Sequence, residues 1–593
     1  MLNQLNERLK SYPSLAAALL FLITFSVFSG TFKNGFVYDD VPQVLENPFV
    51  LNPHLWKQNL TTSVWGFAGA KTNFYRPLQF LSYWLICRAA GPNPPAFHFF
   101  QLLLYAATVW LVYQLGQGLF EDELAAFTGA LLWAVHPLHV EAVAWISALA
   151  DAGCGFFYVL AFWLFLRAEK ASNGRLLVHG LAAGAFFLAL FFKEMAISFP
   201  LVVLAYWCLA AERPAADGWR NRFARWLPYL AAAVAYVAIR RAVLGFLVES
   251  RQAWKVPWKM AGAIVGLLGE HLRLFLWPAH MNLFRGFELR ASLHSPWPWL
   301  TLLALVTMCW VRKREPRLSF SGAWWVVTLL PCLDVRQLST TVVAERFSYI
   351  PSVGLCLAVS FLLLVALRKF VPGARSLPVA LPALALVTIL WSIQTIRAVP
   401  NWRDNDTLVN YSSKLSPNDA QLHFAKALNL QYRQGDLDAA LREYELARSL
   451  DTRGSKGGGF TYYYYLGLGQ IAQRKGRLEE AVDYFQKATR ATRDNSQAFD
   501  ALGSVYFPRG DYAKAAEYFE KAIKSNPYDV GARFYLGTCW MKLGKYRAAA
   551  EQFRTAAEID PTYLQAYEAE ARALEAAGDS AGAARARSRT PAR

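Results

Sequence analysis

Residues 14–40 read SLAAALLFLITFSVFSGTFKNGFVYDD: an apolar run long enough to cross a bilayer as a helix, closed by two adjacent aspartates, Asp39 and Asp40. A basic pair, Arg8 and Lys10, precedes it as in a secretory signal, but no small-residue cleavage site follows, so the run reads as a retained first span. Outward from it, comparable runs recur near 97–118, 124–142, 150–167, 177–192, 195–211, 227–246, 297–312, 321–334, 348–368 and 378–396, giving about eleven candidate spans. Composition agrees, since 55% hydrophobic against 18% charged is too apolar for a soluble protein of 593 residues.

The net charge of +18 does not point to nucleic acid, because the basic residues sit in short loops between apolar runs. These loops are RAEKASNGR (167–175), ERPAADGWRNRFARW (212–226), RKREPR (312–317) and RKFVPGAR (368–375), and with the N-terminus they are expected on the cytoplasmic side. The apolar segment 260–284 would move RKREPR to the other side if it crossed, so it is expected to lie in the interface or to re-enter. An odd number of crossings then places the C-terminal part outside the cytoplasm. The seven cysteines, mostly within apolar runs and without CxxC spacing, are expected to be buried thiols.

Beyond residue 400 the pattern changes to a repeat of period 34: Gly469, Gly503 and Gly537; Ala481, Ala515 and Ala549; Phe485, Phe519 and Phe553; Ala488, Ala522 and Ala556. Small residues let paired helices approach while an aromatic fills the groove between them, the signature of tetratricopeptide (TPR) repeats. An earlier unit, 421–454, carries Ala440, Tyr444 and Ala447, offset by the glycine-rich RGSKGGG, and a partial unit from residue 564 is expected to cap the stack. The chain is therefore expected to be all-α, with a membrane domain at 1–400 and a TPR α-solenoid at 401–593 whose concave face holds a protein or peptide. In YYYYLG (462–467), two of the four tyrosines are expected to serve helix packing.

Ionisable groups are costly at membrane depth unless they face a cavity or one another. Several stand near span ends on one side: Asp39 and Asp40; His136, His139 and Glu141 in HPLHVEAVAW; Asp151 in ALAD; Lys193 and Glu194 in FFKEMAIS; Glu345 and Arg346 in VAERFSYIPSVG. A partly buried carboxylate beside a second one can serve as general base, which makes Asp39 and Asp40 the candidate catalytic residues. Arg346, Lys193 and Arg76 (in FYRPLQF) could bind a phosphate or diphosphate, and the remaining groups are expected to line the pocket. The plainer readings are a solvated helix stop for the aspartates, a structural hydrogen-bond cluster for the histidines, mutual neutralisation of Lys193 and Glu194, and pairing of Arg346 with Glu345 or Asp334. The spacing of His136, His139 and Glu141 does not reproduce a zinc-binding H-E-x-x-H helix, so no metal is expected to be required, although a carboxylate pair beside a phosphate could recruit a divalent ion.

FVYDDVPQVLENPFV, RPLQFLSYWL, HPLHVEAVAWIS, KEMAISFPLVVL, ERFSYIPSVG and NWRDNDTLVNYSSKLSPN, followed by the repeats, together resemble the transmembrane and tetratricopeptide-repeat-containing (TMTC) proteins and their bacterial relatives. The resemblance implies a GT-C-type glycosyltransferase that uses a polyprenyl-phosphate-linked sugar, with mannose transferred to protein Ser or Thr in the animal members. It implies that an acid of the first external loop is the base, that transfer inverts the sugar, and that the protein sits in a bacterial inner membrane with its repeats outside the cytoplasm. Where that family tends to have GRAD, this chain has ALAD with Leu149, a departure that bears on the donor sugar. Two other classes compete: a non-catalytic scaffold of a cell-envelope or polysaccharide assembly system, and an enzyme whose acceptor is a glycan or lipid.

Overall fold

The computed structural model describes the chain except residues 1, 71, 172–173, 212–217, 247–256, 286–288, 334–341, 371–375, 452–458, 493–494 and 592–593. Asp334, most of the glycine-rich run at 453–459, and parts of three of the basic loops lie outside the described residues. The protein is all-helical among the described residues and divides into two compact units that interleave in sequence. The first comprises residues 1–40, 75–82 and 93–416; the second comprises 41–74, 83–92 and 417–593.

Among the described residues of the first unit, seven helices are long and apolar enough to cross a membrane: Pro13–Lys33, Pro94–Phe120, Ile146–Lys170, Arg175–Phe192, Arg220–Leu244, Pro351–Phe370 and Pro382–Trp402. Four further apolar runs form shorter helices, Glu123–Val135, Glu194–Leu209, Trp297–Val311 and Pro316–Leu329. Segment 260–284 falls mostly in one helix, Pro257–Leu276, packed against Trp297–Val311. Close helix approach rests on small residues. A Cβ at Gly116 would lie 2.8 Å from the Ala126 backbone, one at Gly153 would meet the Phe192 ring at 2.4 Å, and one at Gly155 would meet Tyr349 at 2.3 Å. The cysteine expectation needs correction: Cys87, Cys154, Cys356 and Cys539 are buried, whereas Cys208 and Cys309 are exposed. They sit on the outer faces of apolar helices, and in a membrane protein an apolar run marks a lipid-facing surface as readily as a core.

Where polar side chains gather, the helices break into short turns. Glu123–Val135 ends at His136, whose extended backbone leads into a 3₁₀ turn at Pro137–His139, and another at Ile146–Ala148 precedes the helix Leu149–Lys170. Glu194–Ser198 and Glu345–Ser348 are likewise 3₁₀. Such turns leave main-chain donors unpaired within the helix, free to meet carboxylates from elsewhere in the unit.

The second unit is the repeat array. Helix pairs run Ala420–Asn429 with Leu437–Leu450, Gly459–Arg474 with Leu478–Ala491, Ser496–Tyr506 with Tyr512–Ser525, Val530–Lys542 with Tyr546–Ile559, and Leu564–Ala576 with Ser580–Ser588. The glycine–aromatic register is the packing rule itself: a Cβ would lie 2.5 Å from Phe485 at Gly469, 2.7 Å from Phe519 at Gly503 and 2.7 Å from Phe553 at Gly537. Gly476, Gly510, Gly544 and Gly578, each with positive φ, turn the chain between the two helices of successive pairs. Of the tyrosine run, Tyr462 and Tyr464 are buried and Tyr463 is exposed.

The segment after Asp40 belongs to this second unit. Val44, Phe49 and Val50 are buried, Phe49 meets Tyr528 edge-on at 4.6 Å, and Asn52 Nδ2 donates to the carbonyls of Glu558 and Ile559 at 2.7 and 2.8 Å. Gly69, at φ 74°, fits where a Cβ would lie 2.7 Å from the Asn526 side chain.

Candidate active site

Every residue expected in the site lies in the first unit. Three of the sequence doublets, Asp39–Asp40, Lys193–Glu194 and Glu345–Arg346, split in the same way: neighbours in the chain face different partners.

Tyr38 has a left-handed backbone (φ 51°), uncommon for a bulky residue, and its N–H donates to Asn405 Oδ1 at 2.7 Å. This turn separates the two aspartates. Asp40 is fully buried, its Oδ1 accepting from the Ser147 N–H at 2.7 Å and hydroxyl at 2.5 Å, and its Oδ2 from the Val37 N–H at 3.0 Å. Burial pushes its carboxyl up to about 7 even against those three donors. Asp40 thereby pins the end of the first loop to the 3₁₀ turn that opens the Leu149–Lys170 helix. Asp39 keeps partial exposure and, among the described residues, its carboxylate accepts no hydrogen bond. Burial raises it to about 6, with the Arg346 and Arg76 guanidinium groups acting in the opposite direction.

The expected phosphate-binding cations each hold a carboxylate. Arg346 donates its backbone N–H to Glu141 Oε2 at 2.9 Å and its Nη1 to Glu141 Oε1, so the buried Glu141 fixes both ends of the arginine. Its guanidinium lies 5.2 Å from the Trp145 ring and 5.2 Å from Phe347. Lys193 Nζ donates to Asp151 Oδ1 at 2.6 Å and lies 5.4 Å from Phe347, so one ring is flanked by both cations. Burial holds Lys193 below the usual lysine range, opposed by Asp151. Arg76 Nε donates to Glu194 Oε2 at 3.1 Å, and the Tyr75 N–H reaches Glu194 Oε1 at 2.9 Å. Lys193 and Glu194 therefore do not neutralise each other, and Arg346 pairs with Glu141 in place of Glu345.

Three expected pocket residues are engaged elsewhere. Glu345 Oε1 accepts from the Asn282 N–H at 2.5 Å and from Arg285 at 3.0 Å, and burial pushes its carboxyl upward. His136 Nδ1 accepts from the Leu138 N–H at 3.2 Å, which leaves Nε2 as the donor to the Phe275 carbonyl at 3.1 Å. His139 lies between Tyr105 Oη and Ser352 Oγ, each at 2.9 Å. Both imidazoles are fully buried, with both ring nitrogens partnered. No cluster of three or more His, Cys, Asp or Glu suited to a metal occurs among the described residues. Ser147 was not anticipated as a site residue, though a lone hydroxyl in the apolar AVAWISALA stretch beside two polar motifs is a usable signal; the roles of Tyr38 and Asn405 carry none.

Asp39, Arg76, Glu141, Asp151, Lys193, Glu194 and Arg346 thus form one electrostatic neighbourhood of three ion pairs and one carboxylate outside them. Residues 76–244 match the family described as dolichyl-phosphate-mannose-protein mannosyltransferase, and residues 464–527 and 501–563 match tetratricopeptide repeat families. Among curated relatives, a protein O-mannosyl-transferase of Caenorhabditis elegans, F38B6.6, is 22% identical, covering 68% of this chain and 59% of its own length. Tmtc1 of Drosophila melanogaster, another protein O-mannosyl-transferase, is 22% identical over 71% of this chain and 60% of its own length. Human TMTC1 is 37% identical over 29% of this chain and 19% of its own length. The chain thus spans three-fifths or less of the length of these relatives.

Solved structures similar to part of the chain include YrrB, described as a TPR protein with an unusual peptide-binding site, and MamA. YrrB is 26% identical, covering 31% of this chain and 90% of its own, with a TM-score of 0.25. MamA is 21% identical, covering 29% of this chain and 89% of its own, also with a TM-score of 0.25. The chain thus matches a TMTC-like family member in content: a multi-pass membrane protein in which residues 76–244 resemble the dolichyl-phosphate-mannose-protein mannosyltransferase family and tetratricopeptide repeats follow.

Proposed function

We propose that the protein is a membrane O-mannosyltransferase that moves the sugar of a polyprenyl-phosphate donor to a Ser or Thr hydroxyl of a protein acceptor outside the cytoplasm. The observation that carries this reading is the contrast within the acidic pair. Asp40 is fastened by three donors, whereas Asp39, two cations nearby, takes no hydrogen bond among the described residues and is raised to about 6. A carboxylate so placed is ionised at neutral pH and basic enough to accept a hydroxyl proton.

The acceptor oxygen attacks the anomeric carbon from the face opposite the phosphate while Asp39 takes its proton. The bond from that carbon to the phosphate oxygen breaks, its electron pair leaves with the polyprenyl phosphate, and the sugar inverts. Arg346, Arg76 and Lys193 stabilise the growing negative charge, their positions fixed beforehand by Glu141, Glu194 and Asp151, so little reorganisation is needed in the transition state. No step in this scheme runs through a metal. The repeats would present the acceptor, and the inner membrane of a bacterium, with the repeats in the periplasm, is the location that fits this chemistry.

Incubating the purified protein with polyprenyl-phosphate mannose and Ser/Thr peptides, and detecting the mannosylated peptide by mass spectrometry, tests the proposal. Formation of that product supports it. Absence of product with every polyprenyl-phosphate sugar would favour the scaffold reading, and a C-terminal reporter found in the cytoplasm would overturn the topology.

A further inference from the structure

The helix Leu149–Lys170 begins at the candidate site, through Asp151, and ends about 30 Å away at 1.5 Å per residue. At that far end its last turns and those of Pro94–Phe120 enclose a cleft of about 420 Å³ lined by Gln114, Gln117, Gly118, Trp163, Arg167 and Lys170. The Arg167 guanidinium lies 4.6 Å from the Trp163 ring, and Trp163 sits 6.1 Å from Trp110, which is 40% exposed.

The charge there differs from that at the candidate site, where Arg76, Lys193 and Arg346 each hold a carboxylate. The carboxylates nearest in sequence are all committed elsewhere: Glu121 to Arg317 at 3.3 Å, Asp122 to Arg368, and Glu123 to Tyr113 and Gln117 at 2.9 and 2.6 Å. Glu169 faces His179 and Arg225, each at 3.3 Å, and accepts from Trp207 at 3.0 Å. Arg167 has no acidic partner among the described residues; Lys170 has none either and reaches only the Gly118 carbonyl, at 3.5 Å. Two cations without acidic partners among the described residues, the side-chain amide of Gln114 and the Trp163 ring therefore line an open cleft at the ends of two membrane-length helices, with Trp110 beside Trp163.

We propose that this cleft binds the headgroup of an anionic phospholipid. The phosphodiester accepts from Arg167, Lys170 and Gln114, and the acyl chains follow the apolar flanks past Trp110 and Trp163. The site is independent of the proposed transferase activity.

The test uses the full chain purified in neutral detergent, with phosphatidylglycerol or phosphatidylcholine added and retained lipid counted by native mass spectrometry. The wild type is expected to retain phosphatidylglycerol over phosphatidylcholine. The double variant Arg167→Gln, Lys170→Gln should retain about thirtyfold less, the equivalent of about 1 kcal/mol for each of two basic residues at a membrane surface. A control, Arg312→Gln with Lys313→Gln, should match the wild type. Equal retention by the Arg167/Lys170 variant, or equal loss in the control, would overturn the site. Complete displacement of the lipid by millimolar inorganic phosphate would assign the cleft to a soluble phosphate and overturn the lipid assignment. Should the double variant fail to fold, Gln114→Leu decides: it keeps both charges, severalfold weaker retention supports the site, and unchanged retention overturns it.

Discussion

Both units seat aromatic rings on glycines, but they differ in how their defining contacts are distributed along the chain. In the repeats, one rule recurs down the chain: a glycine on one helix receives the aromatic of its partner, at Gly469 with Phe485, Gly503 with Phe519 and Gly537 with Phe553. Each contact is local and apolar. In the membrane unit the decisive contacts are polar and singular, and they join residues far apart in sequence: Asp40 with Ser147, Arg76 with Glu194, Glu141 with Arg346. A repeat tolerates substitution one unit at a time, because each repeat touches mainly its neighbours. A buried polar network is coupled, because removing one partner leaves the other without compensation in a low-dielectric surround.

That contrast can be broken most sharply at Asp39. Asp39→Asn should lower sugar transfer by about 10²–10⁴-fold, the usual worth of a general base, without loss of fold. Equal transfer by wild type and variant would remove Asp39 from the chemistry. The sign of its linkage to stability can also be checked. Its carboxyl is raised from 3.8 to about 6, so its contribution to stability is complete below 3.8 and is lost as pH rises through 6. Asp39→Asn should therefore gain thermal stability relative to wild type near neutral pH and not in acid.

In the repeats, Phe519→Ala should cost about 3–5 kcal/mol of repeat stability, and Gly503→Ala about 1–3 kcal/mol by forcing a methyl against the same ring. Limited proteolysis of the repeats and calorimetry would register both, whereas a network-wide loss of transferase activity on a peptide too short to need the repeats would contradict the separation. Asp40→Asn should fall between the two regimes. It sets an amide where Asp40 Oδ2 accepts from the Val37 N–H, at a cost of about 1–3 kcal/mol, and lowers transfer indirectly. Its defect should therefore track thermal stability, while that of Asp39→Asn should not.

Smaller still is the pH response of the wild type. Transfer should rise along an acidic limb with an apparent pKa of about 6 as Asp39 ionises, and Asp39→Asn should lose that limb. Chelation should have the least effect. EDTA is expected to leave the rate unchanged, and a loss restored by a divalent ion would add a metal to the donor site.

The sequence by itself determined the class of both units. Apolar runs of membrane length admit few alternatives, because an unpaired backbone cannot be left in lipid, and a glycine–alanine–aromatic register of period 34 describes helix packing directly. It also exposed the charged doublets, since ionisable groups beside spans are expensive enough to stand out. Only the tertiary structure decided which member of each doublet does what: Asp40 on Ser147 and Asp39 outside the ion pairs, Lys193 on Asp151 and Glu194 on Arg76, Arg346 on Glu141 and Glu345 on Arg285. Likewise, it assigned the chain directly after Asp40 to the repeat unit, where Val44 and Phe49 are buried. Composition fixes how much polar and apolar surface must be matched, but adjacent side chains leave the backbone in different directions. Their partners are set by distant segments that no local pattern encodes.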